Sequence, residues 1–185
     1  QADLQGRVDL RAMTTVTIDG ETARDFDDAV SLRREGDNFR LWVSIADVSH
    51  YVKKDSPLDR EAHLRGTSVY FPDRCIPMLP ERLSTDLTSL NPDVDRLAVV
   101  VEVAVDDDGV CGAAAIYRAL VHNHAKLAYN GIAAWLDGSK PAPERVTAVP
   151  GLDAQLRVQD DVAQRLKRSR HERGALTLDT LEVRP

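Results

Sequence analysis

At 185 residues, 43% hydrophobic and 29% charged, the chain has the size and composition of one globular domain, which excludes a disordered or fibrous segment. No apolar run approaches the ~20 residues of a membrane span and no signal peptide is visible, so a soluble, cytoplasmic protein is expected. A net charge of −6 argues against a surface that grips nucleic acid everywhere, but leaves room for a local basic groove.

In chain order, residues 14–19 are β-branched and alternating, which predicts a strand running into an acidic segment. Residues 29–34 and 39–48 form an expected hairpin across Glu35-Gly36-Asp37-Asn38, whose Gly and Asn suit a tight turn. Ser56 and Pro57 open a short helix as N-cap and first helical residue, and Gly66 stops it. Prolines from Pro72 to Pro80 exclude a regular element there. Residues 97–105 and 110–121 read as strands joined by Asp106-Asp107-Asp108-Gly109, an ordinary acidic hairpin tip. Residues 126–136 read as a helix, 138–150 as a Gly/Ser/Pro linker, and 152–173 as a long helix with Leu152, Leu156, Val162, Ala163 and Leu166 along one face. Its last turns hold Arg165, Lys167, Arg168, Arg170, His171 and Arg173, read as a solvated face suited to a helix C-terminus, with a phosphate-contacting edge as the alternative. Cys75 and Cys111 lack metal-ligand spacing and read as two buried thiols in a reducing compartment. Strands preceding helices, joined mostly as hairpins, predict an α+β fold with a mixed, largely antiparallel sheet and packed helices. The chain opens on Gln1 and stops within Leu181-Glu182-Val183-Arg184-Pro185, which reads as an unfinished strand, so both ends read as cut from something longer.

The chemistry is concentrated at residues 17–29, where Asp19, Asp25, Asp27 and Asp28 fall between one strand and the next. In an extended segment Asp25 and Asp27 share a face. Two carboxylates ~4 Å apart repel by about 1 kcal/mol in bulk water and about 4 kcal/mol at an effective dielectric of 20. Gathering four requires a cation, basic partners, or a solvated loop that keeps them apart. A hard divalent ion with oxygen ligands, Mg²⁺ or Mn²⁺, satisfies the first and would activate water and offset charge on a phosphate. An Asp-rich turn whose side chains bond backbone amides satisfies the last. Spacing alone leaves both open, and the missing glycine and terminal glutamate exclude a Ca²⁺ loop of the EF-hand kind.

The strings TIDGETARDFDDAV, LWVSIADVSHYV, PLDREAHLRGTSVYFPDRCIPMLPERLSTDLTSLNP and HAKLAYNGIAAWL, in this order, resemble the catalytic domain of the ribonuclease II / ribonuclease R family. The resemblance covers about residues 14–178, and the third string sits slightly nearer the ribonuclease R branch. It implies processive 3′→5′ hydrolysis of single-stranded RNA to nucleoside 5′-monophosphates with a divalent metal, Mg²⁺ or Mn²⁺. It also implies that Asp19, Asp25, Asp27 and Asp28 surround the metal and the scissile phosphate, with Asp27 nearest the chemical step. Tyr129 matches a tyrosine near the last nucleotide, and Tyr70 an aromatic that stacks on a base further along the RNA. Taken without the family, Tyr129 reads as helix core and Tyr70 as packing under a loop. His122 and His124 read as surface or phosphate-neighbouring residues. The family's catalytic domain continues past Pro185 into an arginine-rich string with a catalytic arginine, and small β-barrel RNA-binding domains flank it. The resemblance therefore implies an incomplete catalytic domain.

Two other functions compete with a hydrolytic exoribonuclease. A non-catalytic RNA-binding or regulatory module of the same fold would have no need of the four aspartates. An aspartyl-phosphate phosphotransferase would want its Asp-x-Asp pair at a parallel strand end in an α/β repeat, which the hairpin pattern opposes.

Overall fold

The computed structural model describes residues 6–176; the expected strand at 181–185 and the end of the resembling segment near Leu178 lie outside them. The elements run β1 (Val8–Asp9), β2 (Thr15–Asp19), β3 (Asp28–Glu35), β4 (Asn38–Ala46), α1 (Val48–Tyr51), α2 (Pro57–Arg65), β5 (Val69–Tyr70) and β6 (Cys75–Ile76). After a π-helical turn at Arg82–Leu87 come β7 (Asp95–Val105), β8 (Cys111–Ala128), α3 (Tyr129–Leu136), α4 (Glu144–Ala148) and α5 (Leu152–Glu172). Among the described residues, β5 and β6 form a separate ribbon and the other strands form one sheet in the order β1-β8-β2-β3-β4-β7. Because β7 also pairs with β8, five strands pair in a ring. All pairings are antiparallel except those of β8 with β1 and β2, so the fold is the mixed, largely antiparallel α+β arrangement expected. No helix among the described residues is long and apolar enough to cross a membrane.

Strand alternation decides what is buried. The β4 residues Trp42, Ser44 and Ala46 point to one face, where Trp42 and Ala46 pack with Phe26, Leu90, Val100 and Val121. Val16, Leu127, Ile132, Trp135 and Leu156 form a second core between sheet and helices. A third joins Leu32, Phe39 and Val105 to Val162 of α5. The caps of α2 are those expected: Ser56 accepts from the Asp59 amide at 3.2 Å, and Gly66 closes the helix at φ +73°.

Five expectations are corrected. Residues 126–128 are not helical: they continue β8, because Lys126, Leu127 and Ala128 pair in parallel register with Thr17, Ile18 and Asp19. Long-range pairing overrides the local helix preference of Ala-Lys-Leu-Ala. The linker at 138–150 contains α4, held by Val146, which is buried in the second core. The proline-rich stretch contains β6, paired with β5 across a turn where the Phe71 amide bonds the Arg74 carbonyl at 2.8 Å. Cys75 and Cys111 are free but exposed, one on that ribbon and the other at the open start of β8. Ala163 is likewise exposed, just outside the buried stripe of α5.

The acidic hairpin tip is a backbone-capping turn, as expected: Asp106 Oδ1 accepts from the amides of Asp108 and Val110 at 3.1 and 2.8 Å. It also docks on α5. Arg165 bonds the Asp107 carbonyl and carboxylate, pairs with Asp161 at 2.8 Å, and lies over Phe39. Gly109 is what permits the approach, since a Cβ there would stand 2.5 Å from the Arg165 backbone, and its φ is +76°. Gly138, at φ +82°, has open space around it. Gly109→Ala is expected to cost more than the roughly 1–2 kcal/mol of left-handed backbone strain that Gly138→Ala incurs. Denaturant unfolding of the two variants checks this; equal losses would dismiss the close-approach explanation.

A buried ion pair ties the chain start to α1. Arg7 and Asp47 meet at 2.7 Å with side chains 4% and 0% exposed. Asp47 also caps α1, accepting from the His50 amide at 3.2 Å, and takes the Ser49 hydroxyl at 2.7 Å. Burial pushes its carboxyl up, but the Ser49 and Arg7 hydrogen bonds and the charge of Arg118 outweigh burial and hold it below the ordinary value. Its contribution is therefore fully present above the unfolded value near 3.8 and is lost as pH falls through the lower folded value. Asp47→Ala leaves Arg7 buried and unpaired, an expected loss of about 3–5 kcal/mol. Urea unfolding at neutral pH measures that loss, and the variant should also lack this acid-side component of the stability profile.

Candidate active site

The sheet register assembles the acidic end of the molecule. Asp19 is the last residue of β2, and it stands opposite Ala128, the last residue of β8. Tyr129 follows as the first residue of α3, so the parallel β2–β8 pairing sets it beside Asp19. Asp28 opens β3, in register with Ile45 of β4. Asp25 and Asp27 lie on the irregular segment between β2 and β3.

That segment is held along its length. The Ala23 amide bonds the Gly20 carbonyl at 3.0 Å, and Lys126 Nζ donates to the Ala23 carbonyl at 3.1 Å. Phe26 is buried in the first core, with the Lys126 ammonium 4.9 Å from its ring centre. The Phe26 amide donates to Ser89 Oγ at 2.9 Å, and its carbonyl accepts from the Leu90 amide at 2.8 Å. The Asp27 carbonyl accepts from the Ala46 amide at 2.8 Å, and Asn130 Nδ2 of α3 donates to Glu21 at 3.2 Å. Phe26 is buried in the core, while its neighbours Asp25 and Asp27 are half-buried and exposed, respectively.

The electrostatics are those of crowded like charges. Partial burial raises the Asp19 carboxyl above its ordinary value; the charges of Asp28, Asp25 and Asp27 raise it further and Lys126 opposes them. Asp27 stands exposed, yet protein packed behind it strips part of its hydration, and this together with Asp25 and Asp28 raises its carboxyl as well. Among the described residues no three His, Cys, Asp or Glu side chains are gathered tightly enough to hold a metal ion. The four carboxylates sense one another without forming a coordination shell. The donor set nevertheless suits a hard divalent cation, being all oxygen. Asp19 Oδ2 is buried and has no hydrogen-bond partner, a costly state for a carboxylate oxygen unless a cation or water meets it.

Both tyrosines are at the surface. Tyr129 is 62% exposed, not core, and burial followed by the charges of Asp19 and Asp28 raises its hydroxyl pKa. Tyr70, on β5, is 66% exposed and donates to Asp25 Oδ2 at 2.5 Å; that bond, more than burial, pushes its pKa up to about 12. The separate ribbon thus reaches over the acidic segment, a contact that nothing in the sequence signals. His122 and His124 are engaged elsewhere: His122 Nδ1 lies 2.8 Å from Asp95 Oδ1, and His124 Nδ1 accepts from the Thr15 amide at 3.3 Å. Sequence reasoning also missed Ser89, Asn123, Lys126 and Asn130, whose hydrogen bonds shape the segment or its anchors. Ser89, Lys126 and Asn130 fall within quoted family strings and Asn123 just outside one, but none of the four carries a periodic or spacing signal of its own.

The fold and site define an α+β domain whose ring of mostly antiparallel strands carries an acidic strand end beside two exposed tyrosines. A family model described as the RNB domain matches residues 7–185, and the chain belongs to that family. It is 50% identical over 182 residues to Ribonuclease R of Vibrio cholerae, covering 97% of this chain and 22% of the relative. It is 47% identical over 180 residues to Ribonuclease R of Escherichia coli, with the same shares. The fold matches Mycoplasma genitalium RNase R solved with ribose-methylated single-stranded RNA, at a TM-score of 0.85 and 32% identity, over 96% of this chain and 27% of that one. The chain thus spans about a fifth of the length of the curated relatives it matches.

Proposed function

We propose that this chain supplies the carboxylate side of the active centre of a 3′→5′ exoribonuclease that hydrolyses single-stranded RNA processively to nucleoside 5′-monophosphates. The observation that carries the reading is the convergence of Asp19, Asp25, Asp27 and Asp28 on one sheet end, with Asp19 Oδ2 buried and unpartnered beside exposed Tyr129. The relative solved with single-stranded RNA supports the same substrate class. On this reading residues 1–185 are the first part of an RNB catalytic unit. The positive groups that oppose charge on the transferred phosphoryl oxygens, and the flanking RNA-binding barrels, then belong to the remainder of the protein.

Asp19, Asp25, Asp27 and Asp28 would hold Mg²⁺, or Mn²⁺ in its place. When bound, such an ion lowers the pKa of a water nucleophile and offsets charge on the scissile phosphate. The chain's own residues position and orient. Asp27 is an exposed carboxylate of the set, open to the scissile phosphate, and half-buried Asp19 contributes its unpartnered Oδ2 behind it. The exposed ring of Tyr129 offers a face for the terminal base, and that of Tyr70 offers one further along the strand. Stacking suits a nuclease indifferent to sequence, because every base has a π-face. A non-catalytic RNA-binding module is disfavoured by the same carboxylates, which without a cation repel the phosphates they face.

Asp27→Asn, in the full-length polypeptide carrying this chain, should lower mononucleotide release by on the order of 10²–10³ while leaving RNA affinity nearly intact. A parallel fall of filter-binding affinity and activity would contradict this division of roles.

Tyr129→Ala should change the length of the final product or lower turnover, with a stacking loss of about 1–3 kcal/mol per base. Its exposure predicts an unchanged melting temperature; a collapsed melting curve with normal products would return Tyr129 to the core.

A further inference from the structure

Ser89 lies outside the acidic segment by more than sixty positions, yet it is the residue to which that segment is fastened. It is fully buried, between Thr88 and Leu90, which are buried too. Its hydroxyl works in both directions: Oγ accepts from the Phe26 amide at 2.9 Å and donates to the Arg24 carbonyl at 3.3 Å. The Leu90 amide then donates to the Phe26 carbonyl at 2.8 Å. Three hydrogen bonds therefore grip the backbone on both sides of Asp25 and immediately before Asp27.

The anchor is itself tied to the strand that carries Asp19. Asn123 of β8 is buried, and its Nδ2 donates to the Leu90 carbonyl at 2.7 Å and to Thr17 Oγ1 at 3.1 Å. Asn123 Oδ1 accepts from the Ala125 amide at 3.1 Å, so both ends of its amide are engaged. Thr17 is two residues from Asp19 on β2. A continuous chain of bonds thus runs from Asp19's strand through Thr17, Asn123 and Leu90 to Ser89, and from Ser89 to the residues flanking Asp25. Arg96 Nε fixes the Ser89 carbonyl from the far side at 3.0 Å.

We propose that Ser89 is a positioning residue for the reaction: its hydroxyl sets the placement of Asp25 and Asp27 relative to Asp19, and hence the spacing of the carboxylate set. The inference rests on the exoribonuclease reading given above. An irregular segment carrying repelling carboxylates has no ladder of its own to hold it, so its geometry depends on outside bonds. Ser89→Ala removes the acceptor of a buried amide and the donor to a carbonyl while barely changing volume, so the segment can drift apart without loss of the surrounding core.

The test uses the full-length polypeptide carrying this chain, as wild type and as Ser89→Ala and Ser89→Thr. Turnover and KM are measured on labelled single-stranded RNA with Mg²⁺, RNA affinity by filter binding, Mn²⁺ binding to the RNA-free protein by calorimetry, and stability by melting. Ser89→Ala is expected to lower kcat and weaken Mn²⁺ binding by roughly 10–100-fold, as loss of a supporting hydrogen bond does elsewhere, with KM and RNA affinity unchanged. Ser89→Thr, which keeps the hydroxyl, should recover most of both. Should the alanine variant not fold, Ser89→Cys, a weaker donor and acceptor of similar size, takes its place with an intermediate loss expected. Unchanged kcat and Mn²⁺ binding in an active background would overturn the inference, as would a fall of kcat, RNA affinity and melting temperature together. A wild-type protein that releases no mononucleotides would instead overturn the exoribonuclease reading, and this inference with it.

Discussion

The mutual repulsion of Asp19, Asp25, Asp27 and Asp28 is the constraint around which this end of the molecule is organised. Left to itself, a segment with this charge would spread into solvent. Four devices resist that. The parallel pairing of β2 with β8 fixes Asp19, and the β3–β4 ladder fixes Asp28. Phe26, driven into the core between Asp25 and Asp27, pins the stretch without a strand of its own. Lys126 supplies the nearest compensating charge, bonded to the Ala23 carbonyl and lying over the Phe26 ring. What remains uncompensated is visible in the raised carboxyls of Asp19 and Asp27 and in the buried, unpartnered oxygen of Asp19.

The length of β8 connects fold to site. Its first part pairs with β7 and its last part with β2, so one strand closes the ring and delivers α3 to the acidic end. Were residues 126–128 helical, the first turn of the helix would begin before the strand end and Tyr129 would rotate away from Asp19. Keeping those residues extended puts Tyr129 at the helix start, exposed, with Ile132 and Trp135 of the same helix buried behind it. The apolar helix and the exposed aromatic are compatible because Tyr129 is the first residue of α3, at its open end, while Ile132 and Trp135 in the following turns reach the second core.

The basic end of α5 divides by role. Arg165 is spent on structure: it holds the β7–β8 tip through Asp107 and covers Phe39. Lys167, Arg168 and Arg170 point to solvent, in keeping with a helix C-terminus that favours cations. In a chain of net charge −6 these side chains keep a local positive edge without making the whole surface basic.

Where structure follows from neighbours along the chain, the sequence was sufficient. The Gly36-Asp37 hairpin, the Ser56 and Gly66 caps, the Asp106–Gly109 tip and the amphipathic α5 all rest on turn chemistry and periodicity, which act over a few residues. The four aspartates were equally legible, since charge density within ten residues needs no fold to be noticed. Tertiary structure alone decided the rest. Parallel pairing between β2 and β8 joins residues more than a hundred positions apart and overrode the helical preference of 126–128. The bond from Tyr70 to Asp25, and that from Ser89 to Phe26, depend on loops brought together only by folding. Cys75 and Cys111, apolar enough to suggest burial, ended exposed because one lies on the separate β5–β6 ribbon and the other in the exposed first part of β8. Local patterns say what a segment prefers; which segments meet, and so which carboxylate stands beside which ring, is settled by contacts that no window of sequence contains.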